Sequence, residues 1–112
     1  MEIIRVPINM KEIVEKHMTH FKTLTKAVVD IKKGLIALDG ELHADLERLL
    51  IEDGSLQEDL WGINIYPHRK EEPVEYSALI NVRPHQNNFS MEIEDHETRK
   101  KIGITIERLI KL

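Results

Sequence analysis

No cysteine occurs in the 112 residues. That excludes a disulfide framework and any thiolate metal site, and it fits a reducing compartment. Aromatic residues are scarce: Phe21, Trp61, Tyr66, Tyr76 and Phe89 make up the whole set, so the core has to be built from Ile, Leu and Val. Four prolines and five glycines are too few and too scattered to mark a linker, and no low-complexity tract or solenoid period is present. No run approaches the ~18 apolar residues of a membrane span. The opening MEIIRVPINMKEI carries acids and lacks the long apolar core of a signal peptide. A cytoplasmic protein with no membrane partner is therefore expected. A formal charge of −4 argues against nucleic-acid binding by broad phosphate neutralisation, while leaving room for a local basic patch. Phosphate-binding loops, nucleophile elbows, HExxH helices and dinucleotide fingerprints are all missing.

What is present suits one domain over residues 1–112, since a chain of this length builds a single core. Glu2–Val6 is a short extended run stopped by Pro7. Asn9 with Glu12 three residues on has the form of a capping box, opening a helix whose stripe is Ile13, Val14, Met18 and Phe21. Ala27–Ile31 and Leu35–Leu38 flank Lys32-Lys33-Gly34, a hairpin signal. Leu42, Leu46, Leu49 and Leu50 recur as one helical face, and Asp53-Gly54 ends it. Leu60–Tyr66 and Glu75–Arg83 read as two further strands stopped by Pro67 and Pro84. Asp95 caps a last helix with Ile102, Ile106, Leu109 and Ile110 as its stripe, although Gly103-Ile104-Thr105-Ile106 also alternates like a strand. The expected fold is α+β: an antiparallel sheet of four to five strands with about three helices packed mainly on one face.

The sharpest internal signal is an echo. GINIYPHR at 62–69 and LINVRPHQ at 79–86 share the frame Ile-Asn-x-x-Pro-His. Side chains alternate across a strand, so if both stretches are strands, Trp61, Ile63, Ile65, Ala78, Ile80 and Val82 face the helices. Asn64, Tyr66, Asn81 and Arg83 then gather on the opposite, open face, with Asp30 of matching parity. A wet open face accounts for them simply, and a subunit contact is a second structural reading. The functional reading is a site for an anionic or polar ligand with Arg83 as bidentate donor.

Other clusters carry weaker signals. Glu41, His43 and Asp45 stand at the entry of the second helix, where acids also suit the helix dipole. They are metal or acid–base candidates. Asp53, Ser55, Gln57 and Asp59 alternate, but the glycine and closing glutamate of a calcium loop are misplaced or missing. His17 and His20 lack a third ligand for zinc, and RPHQNNFS at 83–90 is a loop rich in side-chain amides.

Gly40-Glu41-Leu42-His43-Ala44-Asp45, Glu58-Asp59-Leu60-Trp61-Gly62-Ile63-Asn64 and Ile80-Asn81-Val82-Arg83-Pro84 together resemble a small bacterial and archaeal domain family of unknown function. The resemblance spans nearly the whole chain. It is looser at Gln86-Asn87-Asn88, and His96 stands where a helix-opening proline is commoner. It implies one compact domain and brings no mechanism, cofactor or substrate with it.

Two functions follow as expectations. The first is a binding or interaction module with Asn64, Tyr66, Asn81 and Arg83 lining the site. The second is a small hydrolase in which His43 or Asp59 acts as base, Glu41, His43 and Asp45 hold a metal or an acid role, and Arg83 stabilises negative charge. A homo-oligomer is also expected, because a half-covered sheet gains by burying its open face.

Overall fold

The computed structural model describes residues 1–111. Strand β1 (Glu2–Ile4) is followed by β2 (Ile8–Asn9) and helix α1 (Met10–Lys16), where the Asn9 side chain accepts from Glu12 N–H at 2.8 Å. Then come β3 (Thr25–Asp30), β4 (Leu35–Leu38), α2 (His43–Glu52), β5 (Leu60–Ile65), β6 (Val74–Glu75), α3 (His96–Leu109) and β7 (Ile110–Lys111). Five strands form one antiparallel sheet in the order β1-β4-β3-β5-β6, and β2 pairs with β7 in parallel beside it. The fold is α+β, as the patterning predicts.

The hairpin between β3 and β4 follows from local chemistry. The Asp30 carboxylate accepts from the backbone N–H groups of Lys32 and Lys33 at 2.9 and 2.8 Å, and Gly34 takes the positive φ of 68° that closes the turn. A second oxygen of Asp30 receives the Ser55 hydroxyl at 2.6 Å. Asp30 is thus spent inside the fold, not presented to a ligand.

Both faces of the sheet are covered, which departs from the expectation of an open face. Ala27, Val29, Ile36, Leu38, Trp61, Ile63 and Ile65 pack with Ile13 of α1 and with Ile102 and Leu109 of α3. On the other face Val28, Ala37 and Leu60 pack with Leu46 and Leu50 of α2. The central strand β3 is therefore apolar on both sides, which is why TKAVVD does not alternate cleanly. Helix α3 runs through Gly103–Ile106, so helical burial of Ile102, Thr105 and Leu109 wins over the strand-like alternation. Helix α1 stops at His17, sooner than its stripe suggests; Met18 packs on the core from a loop, and Phe21 lies instead under the Lys26 ammonium at 5.0 Å. His17 is buried against Glu2 (Nε2 to Oε2 3.5 Å) while His20 is exposed, so the two do not form a metal pair.

The larger correction is at 75–83, expected as one strand. Pairing with β5 ends at Glu75. The chain then turns through two 3₁₀ segments, Leu79–Asn81 and Pro84–Gln86. Asn81 replaces the missing ladder with its side chain. Its Oδ1 accepts from Gly62 N–H at 2.8 Å, and its Nδ2 donates to Gly62 C=O at 2.9 Å and to Met91 C=O at 3.1 Å. The carboxamide thus imitates a peptide group along the free edge of β5. Asn88 does the same for the returning loop, donating to the carbonyls of Asn81, Ser90 and Glu92 and accepting from Glu94 N–H.

Asn81→Ala should therefore strand the buried N–H and C=O of Gly62, while Met91 C=O keeps the Ala78 N–H, and cost about 2–4 kcal/mol. Urea unfolding of the variant, compared with wild type at one pH, checks this. A loss under about 0.5 kcal/mol would show that the amide is dispensable.

Candidate functional site

Beside the N-terminus of α2, its face of the sheet is left partly uncovered, and a groove of about 460 Å³ opens there. Its floor is set by register: Lys26 on β3 pairs directly with Asn64 on β5, and both point to the α2 side. One wall is the start of α2 (Leu42, His43, Ala44) and the other is the 77–80 segment, with Leu24, Glu75 and Met91 at the rim. Gly62 makes the close approach of the walls possible. A Cβ there would lie 2.5 Å from Ala78 Cβ and 3.1 Å from both His43 Cδ2 and Ile80 Cγ1.

Two polar groups in the groove have definite chemistry. His43 Nε2 lies 2.9 Å from Ile63 C=O. A carbonyl can only accept, so Nε2 carries the proton of the neutral ring and Nδ1 is left as an acceptor. Burial holds the His43 pKa below its ordinary value of 6.5, assisted by the charge of Lys26 and opposed by the Ile63 carbonyl and the nearby Asn64 amide. Asn64 Nδ2 donates to Glu75 Oε1 at 2.8 Å and to Ser77 C=O at 3.2 Å, which fixes the orientation of the amide. Its Oδ1 is buried and, among the described residues, has no donor in hydrogen-bond geometry. Buried acceptors are nearly always satisfied, so this atom is unusual.

The four residues expected to share an open face are divided. Asn64 reaches the groove. Tyr66 lies at the far end of β5, where its hydroxyl is 3.5 Å from Glu75 Oε1 and the Arg69 guanidinium covers its ring at 3.6 Å. Asn81 is fully buried and Arg83 is only 3% exposed, so neither presents itself to solvent. Arg83 donates from Nε to Ile80 C=O, from Nη1 to Gln57 C=O and Gln86 Oε1, and from Nη2 to Leu60 C=O. Nη2 also lies 3.7 Å from Glu47, and the guanidinium stacks on Trp61 at 4.5 Å. Burial lowers its pKa, with Glu47 opposing. Four of the five N–H groups of Arg83 are hydrogen-bonded within the protein and Nη2 also has Glu47 as an ion partner, so the buried guanidinium braces the loop and presents no open fork to a ligand.

The hydrolase arrangement is not assembled. Asp59 precedes β5, while His43 bonds near the strand's other end. Burial and the charges of Asp30 and Glu58 raise the Asp59 pKa, but no Arg83 donor faces it. Glu41 points to solvent, and Asp45 has only Arg48 at 4.0 Å. Among the described residues no group of three His, Asp or Glu side chains is gathered as a metal would need, so Glu41, His43 and Asp45 do not form a centre. Lys26 is the site residue that sequence reasoning missed. Its even parity with Val28 was the available signal, hidden because β3 is apolar on both faces.

Residues 2–109 match the model of a family described as proteins of unknown function, DUF5674. The chain belongs to that family. No curated protein and no solved structure matches it. Within the family chain, the motifs around Gly40–Asp45, Glu58–Asn64 and Ile80–Pro84 converge on this groove and its braces: His43 and Asn64 face it, Gly62 gives it depth, and Asn81 and Arg83 hold its wall.

The depressed His43 pKa has a sign that can be checked. The folded state binds the ring proton less readily than the unfolded state, so the contribution is full above about pH 6.5 and is lost as pH falls below it. Wild type should lose urea resistance between pH 7.5 and 5.5, and His43→Gln should lose less over that window. Parallel curves for the two would show that the ring does not titrate as the geometry requires.

Proposed function

We propose that the chain is a binding module, and that its ligand occupies the groove between α2 and residues 77–80. The observation that carries this reading is the buried Oδ1 of Asn64, which has no partner of hydrogen-bond geometry among the described residues, beside the His43 ring. A site with two convergent acceptors, one cation at Lys26 and apolar walls suits a small molecule with an apolar body and a polar head. The head donates N–H or O–H to Asn64 and His43 and turns an anionic or polar group toward Lys26. The volume of about 460 Å³ lies within the range of small-molecule pockets. Work in a reducing cytoplasm fits the lack of cysteine. No helix of the described residues is long and apolar enough to cross a membrane.

A second reading rests on the rim. Leu42, Leu79 and Met91 are 55%, 75% and 49% exposed, and clustered apolar side chains of this kind mark contact surfaces. A protein partner or a second copy of the chain would cover them.

A thermal-shift panel of small hydroxy acids, amides and amines separates the two. A ligand at ~100 times its Kd stabilises by about 2.7 kcal/mol, a midpoint rise of roughly 10 °C or more for a domain near this size. Asn64→Leu should abolish that rise. A rise that persists in Asn64→Leu would place the ligand elsewhere. A flat panel, with an assembly dissolved by Leu79→Ser in sedimentation, would favour the partner reading.

A further inference from the structure

A second cavity, of about 420 Å³, lies on the opposite face of β5 at the start of α3. Trp61 forms part of its wall and is only 5% exposed, yet among the described residues its indole Nε1–H has no acceptor. A buried N–H donor left unmatched is rarer than an unmatched carbonyl, and nothing in the fold requires it. Two of the three amides lining the cavity are already spent, and the third, Asn87, is exposed at its edge. Gln86 receives Arg83 Nη1 and donates to Glu58 C=O, and Asn88 is used at both ends. The Thr98 hydroxyl donates to Asp95 Oδ2.

Two carboxylates remain half used. Glu94 takes the N–H groups of Phe89 and Ser90 and the Ser90 hydroxyl, all on Oε2. Asp95 takes both Thr98 donors on Oδ2. Among the described residues no donor reaches Glu94 Oε1 or Asp95 Oδ1. These hydrogen bonds hold both pKa values below the ordinary carboxylate values, so both groups are anionic near neutral pH. The cavity is therefore bordered by two exposed anionic carboxylates and by Trp61, whose buried N–H is unmatched. A bare cation would satisfy the first and leave the indole N–H stranded.

We propose that this cavity binds a primary ammonium group with a carbonyl oxygen on the neighbouring carbon, as in an amino acid or a chain's amino terminus. The ammonium sits between Glu94 and Asp95, where its charge and three donors meet the two free oxygens. The carbonyl oxygen accepts from Trp61 Nε1–H, and the side chain leaves past Asn87, which is exposed. This site is independent of the groove on the α2 face, because Trp61 and Gly62 point to opposite sides of one strand.

Trp61 is the single tryptophan of the chain, so its emission reports the site directly. Titration with alaninamide should change that emission saturably, and Glu94→Gln or Asp95→Asn should weaken the response at least tenfold. Asp95→Asn keeps a capping side chain, which guards against a mere folding defect. In Trp61→Phe, backbone amide NMR shifts at Asn87 and Thr98 should show severalfold weaker binding, because the ring remains and the donor is gone. Alanine and the dipeptide Ala-Ala-amide then distinguish a free amino acid from a chain amino terminus. The proposal is overturned if none of the three ligands gives a saturable change. It is equally overturned if methylammonium or calcium chloride alone reproduces the change, or if Trp61→Phe binds as wild type does.

Discussion

One carboxamide decides the shape of this molecule. Strand β5 pairs with β3 along its whole length, but on its other edge the ladder with β6 covers only Asn64 and Ile65. An edge peptide left bare and buried would cost on the order of a lost hydrogen bond per group. Asn81 removes that cost at Gly62 with a donor and an acceptor held in one plane, as another strand would. Freed from the ladder, the backbone at 79–86 can turn twice, reverse at Asn87 (φ 60°) and bring Asn88 back under Asn81. Arg83 closes the arrangement by taking four carbonyl or amide oxygens and lying on Trp61.

This explains why so polar a stretch is so firmly placed. Asn81, Arg83 and Asn88 are buried, and their partners are mostly backbone carbonyls, which cannot move without moving the chain. The same rigidity gives the groove its second wall. If Asn81 did not hold Gly62, the 77–80 segment would have no reason to stand so close to His43, and a residue larger than glycine at 62 would keep them apart. Strand β5 then serves two faces at once. Its even positions open toward α2 with Asn64, and its odd positions put Trp61 against α3.

The legible parts of the structure are those where a periodic pattern and a local hydrogen bond agree. The Asn9 and Asp95 caps, the Lys32–Gly34 turn, the Leu46–Leu50 stripe and the strand at 60–65 each need only near neighbours. The echo of the two Ile-Asn frames misleads for a physical reason. Asn64 is a strand residue whose amide faces a groove, whereas Asn81 leaves the extended conformation and uses its amide to imitate a strand. The two stretches are alike as sequence and opposite in role, because one supplies the edge and the other satisfies it. His43 and Asn64 were both singled out from sequence, but as members of different clusters. Their meeting depends on α2 crossing the sheet over Gly62.

From the sequence alone came the class of fold, the family, the caps and turns, and the chemical types available for a site. Each rests on composition or on contacts within a few residues, where spacing dictates geometry. Only the tertiary structure decided that both faces of the sheet are covered, that Arg83 is a brace, and that Lys26, His43 and Asn64 share one groove while Trp61, Glu94 and Asp95 share another. Those outcomes depend on which groups find partners across the fold. A side chain such as Arg83 or Asn81 satisfies backbone as readily as it binds a ligand, and only the positions of distant carbonyls determine which it does.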